Sequence, residues 1–157
     1  MLAPPEPSRA SPRPLALWTA LIALGYGLDI LFALPFVPLR FPPIATGGIF
    51  ILIGFGIVGL ALHEMRDFNA PSEETGTPIP TLVTGGVYRY SRNPLYIGLA
   101  VALFGFAIAM NSLWVLAGLI PFFWFLAARI IPREEAELMR TYGELYGEYS
   151  KDVRRWL

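Results

Sequence analysis

Residues 95–131 read LYIGLAVALFGFAIAMNSLWVLAGLIPFFWFLAARII. Two apolar runs, 95–110 and 113–131, are parted only by Asn111-Ser112, a pair that favours a turn. A helix that crosses a bilayer needs about 20 apolar residues, with a usual range of about 17–25. The second run meets that length, and the first, with 16 residues, is marginal. The pair therefore reads as a tight helical hairpin dipping across a membrane. A water-soluble hairpin would need a polar face, and neither run has one.

Working outward, two more apolar segments precede the hairpin. One covers 15–34 and is ended by Pro35 and Pro38; the other covers 44–65. The whole chain has 157 residues, 55% apolar and 15% charged, with a mean hydropathy of +0.53. Ordinary soluble domains carry about 45–50% apolar and about 25% charged residues. Both departures run toward an all-α, polytopic membrane bundle of about four transmembrane helices. Residues 1–14, with five prolines, read as a disordered lead-in to a single domain over 15–157. A cleaved signal peptide is the alternative, but 15–34 exceeds a typical apolar core and no A-x-A-like site follows it. The absence of Cys excludes disulfides and thiolate chemistry, and His63 is the sole histidine. No metal site is expected, and a formal net charge of zero gives no sign of nucleic acid.

Charge then orients the bundle. With four spans, the N-terminus, the 66–94 loop and the tail share one side, and eleven of the twelve Lys and Arg residues lie there. Only Arg40 lies opposite. Positive charge stays on the cytoplasmic side, so both termini are expected there, by default in a bacterial-type inner membrane.

Polar residues inside spans are costly, about 2.5–3.5 kcal/mol for a charge at the centre, and so should face other helices. Asp29 is either a substrate or ion contact or an interfacial carboxyl tied to water or Arg40. The run Gly54-Phe55-Gly56-Ile57-Val58-Gly59 is a literal G-x-G-x-x-G. A dinucleotide site would need a preceding strand in a βαβ unit, and the sequence offers none. At about 100° per residue, Gly48, Gly56, Gly59 and His63 fall within about 80° of one another. That predicts a small-residue face for close approach of a neighbouring helix. His63 then closes the face, beside Glu64, as a hydrogen-bonded structural residue or a catalytic one.

Chemistry concentrates in two stretches: 81–98, TLVTGGVYRYSRNPLYIG, and 129–157, RIIPREEAELMRTYGELYGEYSKDVRRWL. Gly85-Gly86 permits a turn with positive φ. Asn93-Pro94 reads as N-cap and first turn of the third span. The resulting helix end attracts anionic groups or is simply capped, with Arg92 reaching the headgroups. After Pro132 the tail predicts an amphipathic helix over 133–154. Leu138, Tyr142, Leu145, Tyr149 and Val153 make its apolar stripe, and stepping back by four from Leu138 reaches Glu134. A carboxylate on a buried face needs a partner. An Arg such as Arg92 or a ribose hydroxyl would serve.

The ordered set Leu82-Val83-Thr84-Gly85-Gly86-Val87-Tyr88, Arg92-Asn93-Pro94-Leu95-Tyr96, Glu134-Glu135 and Tyr142-Gly143-x-x-Tyr146-x-x-Tyr149 resembles the isoprenylcysteine carboxyl methyltransferase and phospholipid methyltransferase superfamily. The likeness covers about half the chain, residues 82–157. It implies an integral membrane enzyme that moves a methyl group from S-adenosylmethionine to a lipophilic or lipid-modified acceptor, an isoprenylcysteine-type carboxylate or a phospholipid amine. By the same resemblance Leu82, Val83, Tyr88, Asn93, Pro94, Tyr96 and Glu134 would line the cofactor site, with Glu134 on the ribose hydroxyls. Asn93 stands where the family usually has His, and Asn cannot accept a proton. The Arg that contacts a substrate carboxylate in the prenylcysteine enzymes aligns with Ile130, next to Arg129. Arg129, Glu135 and Glu64 are the catalytic candidates. Two rival readings remain: an NADPH-dependent reductase of the sterol-reductase type, whose 2′-phosphate would want an Arg cluster, and a non-catalytic membrane scaffold.

Overall fold

The computed structural model describes residues 13–38, 42–68 and 81–157. The lead-in up to residue 12, Arg40 and part of the 66–94 loop lie outside them. All regular structure among the described residues is helical: α1 (Arg13–Leu31), α2 (Pro43–Phe68), a 3-10 turn (Gly86–Arg89), α3 (Pro94–Ala109), α4 (Leu113–Ala117), α5 (Leu119–Phe125), a π turn (Leu126–Ile130), α6 (Ile131–Tyr142) and α7 (Glu144–Asp152). This is the all-helical membrane bundle the composition predicts. Three stretches, Pro14–Leu31, Pro43–Arg66 and Leu113–Tyr142, are long and apolar enough to cross a bilayer. At 16 residues α3 is shorter; it spans about 24 Å at 1.5 Å per residue, less than a hydrocarbon core of about 30 Å.

The centre of the bundle is the antiparallel pair α2–α3. A side chain on Gly47 would strike Gly105 and Ala109, and one on Gly54 would strike Gly98 and Ala102. Backbone touches backbone there, which maximises van der Waals contact where water provides no driving force. Gly48, Gly56 and Gly59, the face expected from the sequence to take a neighbour, meet nothing within 4 Å. The packed face is offset from them, because spacing alone finds small-residue stripes but cannot rank two on one helix. Trp18 of α1 donates its indole N–H to the Leu99 carbonyl at 2.8 Å and packs edge-on against Phe55 and Phe106. Leu103, Val115, Phe122 and Leu126 are fully buried around this seam.

The hairpin turn falls at Asn111, whose φ of 50° is a left-handed value that Asn tolerates better than most residues. Its Oδ1 accepts from the Phe36 and Val37 amides at 2.9 and 2.6 Å. Ser112 caps α4 by accepting from Val115 N. At the same end Asp29 accepts from Leu34 N at 3.4 Å, so its carboxylate terminates α1.

The fourth span does not stop before the tail. The chain stays helical from Leu113 to Tyr142, passing Pro132 by way of the π turn, in which Ile131 N–H bonds Leu126 O. Proline has no N–H and crowds the carbonyl four residues back, and a widened turn just before it relieves the crowding. The tail helix expected over 133–154 is instead broken at Gly143 (φ 54°, ψ −123°) and ends at Asp152. That backbone geometry belongs to glycine. The break rotates the second half, so Tyr146 becomes buried while Leu145 is 70% exposed, and the predicted stripe is not continuous.

Candidate functional site

One end of the bundle gathers the polar side chains. Here α2 ends, the 3-10 turn crosses, α3 begins and α6–α7 fold over. Pro94 is buried in the first turn of α3, and its fixed φ pre-organises that turn. Two residues on, the Tyr96 hydroxyl donates to Glu134 Oε1 at 2.6 Å. Such a short O–H···O⁻ bond is among the stronger kinds in proteins. Glu134 thus has a partner on the buried face, and it is neither Arg92 nor another cation. Its second oxygen has no protein hydrogen bond among the described residues.

Tyr88 approaches the same pair from the turn. Burial pushes its phenol up to about 12 from 10.0, and the nearby Glu134 and Glu64 carboxylates add to the rise. Glu64, near the end of α2, lies against Gly86, where a Cβ would collide with its carboxylate; φ there is +52°. Gly86 therefore serves both the turn and the close approach of Glu64. Leu82 and Val83 are half-buried just ahead of it. From α7, Tyr149 donates its hydroxyl to the Tyr88 carbonyl at 2.7 Å; burial raises its pKa as well. The sequence places these groups far apart; the fold brings Glu64, Tyr88, Tyr96 and Glu134 to one locus.

The second Glu of the pair faces elsewhere. Glu135 binds Arg155 at 3.0 and 2.6 Å and Arg92 at 3.1 Å. Arg92 Nη1 also donates to the Tyr146 hydroxyl at 3.3 Å. Both oxygens of Glu135 are engaged by guanidinium groups. Arg129 is exposed on the π turn and makes no ion pair among the described residues. His63 is exposed one residue before Glu64.

Asn93 differs from the sequence expectation. Its side chain does not cap α3. The amide Nδ2 donates instead to the Arg155 carbonyl at 2.9 Å, joined by Ser91 Oγ at 3.2 Å, while Arg92 N donates to Arg154 O at 2.9 Å. Beyond α7 the chain is thus strapped across the start of α3. The sequence reading did not single out Ser91, Arg155 or Trp156 for this. Short extended segments carry no periodicity, and the one available sign was the aromatic Trp156 directly after two arginines.

Fold and site define a class: a small integral membrane helical protein with a tyrosine–carboxylate centre where two spans meet a helical tail. Residues 43–145 match the model of the phospholipid methyltransferase family, and the chain belongs to that family. It is 32% identical over 87 residues to protein-S-isoprenylcysteine O-methyltransferase of Xenopus laevis, a stretch covering 55% of this chain and 30% of that protein's length. No solved structure matches the chain.

Proposed function

We propose that this protein transfers the methyl group of S-adenosylmethionine to a lipophilic acceptor drawn from the bilayer, either an isoprenylcysteine-type carboxylate or a phospholipid amine. The observation that carries the reading is the 2.6 Å Tyr96–Glu134 bond. It orients a carboxylate whose other oxygen, without a hydrogen bond among the described residues, would accept ribose hydroxyls. The surroundings suit such a cofactor: Leu82 and Val83 offer apolar surface to a base, and Glu64 and Glu134 supply negative potential for a sulfonium. The bound cofactor would bring an electrophilic methyl group, so little activation is asked of the protein.

The chain's own contribution is alignment. Tyr96 orients Glu134, Tyr149 holds the Tyr88 turn, and α7 keeps water from the centre. A carboxylate acceptor needs no base. An amine acceptor must lose a proton, and Glu64, beside Tyr88 and free of the guanidinium cluster, is the group for that task; Glu135 is committed to Arg92 and Arg155. We assign the polar end and both termini to the cytoplasmic face, following the lysine and arginine distribution. Membership of the family favours methyl transfer over nicotinamide reduction.

The test supplies purified protein with isotope-labelled S-adenosylmethionine and, separately, a farnesylcysteine or phosphatidylethanolamine. Label in one extracted lipid, lost in Glu134→Ala, supports the proposal and selects the acceptor. Folded protein that labels neither acceptor but oxidises NADPH contradicts it.

A further inference from the structure

The tail is interrupted at a single residue. Gly143 holds φ 54° and ψ −123°, a backbone shape that other residues adopt only at a cost. A Cβ there would meet nothing within 4 Å, so the position needs glycine for its conformation and not for space. On either side the sequence suits one helix, since Leu138, Tyr142, Leu145, Tyr149 and Val153 keep helical spacing through the break. Gly143 N bonds Met139 O at 2.9 Å and Gly147 N bonds Gly143 O at 3.1 Å. A continuous helix would add bonds from the 144–146 amides to the 140–142 carbonyls, and these are absent among the described residues.

The broken form is held from the far end. Tyr149 donates to the Tyr88 carbonyl, and Tyr146 accepts from Arg92. Past α7, the Arg154 carbonyl accepts from Arg92 N and the Arg155 carbonyl from Ser91 and Asn93. The part-exposed Arg155 guanidinium takes both oxygens of Glu135, and Trp156 meets Phe123 edge-on at 5.4 Å. Most of these contacts are polar bonds that water replaces at small net cost. Elements held in this way open well below the free energy of global unfolding.

We propose that residues 144–157 are a lid over the Glu134 centre, with Gly143 as its hinge and the Arg155–Glu135 pair as its latch. Closed, the helix is broken at Gly143 and α7 ties the Tyr88 turn to the start of α3. Open, the latch is undone, Gly143 turns helical and α7 continues α6, lifting Tyr146 and Tyr149 from their partners. The lid's use as a gate rests on the proposed function; the hinge motion does not. A water-soluble nucleoside has to reach Glu134 from the polar end, where α7 and the 3-10 turn stand across its way.

The experiment uses the full chain in lipid nanodiscs, with Glu135→Gln to undo the latch and Gly143→Ala to favour the straight form. Hydrogen exchange is followed without cofactor at both ends of the lid. The Arg92 amide reports the strap, because its bond is to Arg154 O; the 144–146 amides report the hinge. Glu135→Gln should speed exchange at Arg92 about tenfold, the effect of losing one charge-assisted bond, with amides of the α2–α3 seam unchanged. Gly143→Ala adds no clash and penalises only the break, so exchange should slow at 144–146 while it quickens at Arg92. General loosening would quicken both ends and overturn the lid, as would an Arg92 amide unmoved in the folded variants.

S-adenosylmethionine binding kinetics on the same samples read the gate. While the lid is shut in most molecules, faster opening leaves the equilibrium constant near its starting value. Association and dissociation rates should therefore rise together in Glu135→Gln, each about tenfold if opening limits both. Unchanged rates beside faster Arg92 exchange would overturn the gate. Folded wild-type protein that opens at Gly143 but binds no S-adenosylmethionine would refute the methyl-transfer reading and leave the hinge standing.

Discussion

Glu134 and Glu135 are neighbours with opposite surroundings, and the difference assigns them different work. Glu134 faces Tyr96; Glu135 faces two guanidinium groups. Removing the Tyr96 hydroxyl frees a carboxylate that was held by a charge-assisted bond of about 1.5–3 kcal/mol. Tyr96→Phe should therefore weaken S-adenosylmethionine binding about tenfold in calorimetry and also lower the melting temperature. Glu135→Gln should cost stability while leaving S-adenosylmethionine binding to the folded protein near its starting value. Two arginines would face each other without their counter-ion, costing about 1–3 kcal/mol of stability in this part-buried setting, read as a lower melting temperature in detergent. Tyr88 gives a pH signature. Its folded pKa of about 12 exceeds the ordinary 10.0, so the folded state keeps a proton that the unfolded chain has lost. Its contribution is intact below pH 10 and declines as pH rises from 10 to 12. In Tyr88→Phe that alkaline decline should flatten, as followed by circular dichroism. Glu134 could be picked out from helical spacing and from family likeness, whereas its Tyr96 partner needed the fold, because a pairing across 38 residues leaves no trace in either local pattern.

At the scale of elements, the α2–α3 seam decides whether the bundle forms. Gly54→Ala puts a Cβ 2.5 Å from the Ala102 backbone nitrogen, and rigid backbone cannot yield as a flexible side chain would. A loss of about 1–3 kcal/mol is expected. Gly56→Ala on the open face should change stability by only about 0.5 kcal/mol. Comparing the two variants by thermal unfolding tests which face is packed. The glycine content of α2 was plain in the sequence, and the choice of face was not: Gly47 and Gly54 are seven apart and Gly48 and Gly56 eight, and each interval is about two helical turns. The break at Gly143 was hidden for a related reason. The apolar spacing runs smoothly through 138–153, so periodicity predicts one helix, while the glycine at its middle takes a backbone shape that ends it. The long apolar runs and the Asn111-Ser112 turn were readable because they follow from composition and local backbone preference alone.

For the whole molecule, the four crossings proposed here would put the first and last described residues on one side of the membrane. Reporter fusions at either end should give the same sidedness, and the 66–94 loop should share it; opposite signals would require a re-drawn topology. The arrangement separates tasks along the membrane normal. Spans supply rigidity, the 3-10 turn and the start of α3 supply the centre, and α6 and α7 close over it. The central claim is that this centre holds S-adenosylmethionine through Glu134. The direct measurement is equilibrium binding of S-adenosylmethionine to detergent-purified protein, with NADPH as competitor and Glu134→Ala as control. Saturable binding, indifferent to NADPH and lost in the variant, is the predicted result. Folded protein that does not bind S-adenosylmethionine, or binds it equally well without the Glu134 carboxylate, would contradict it.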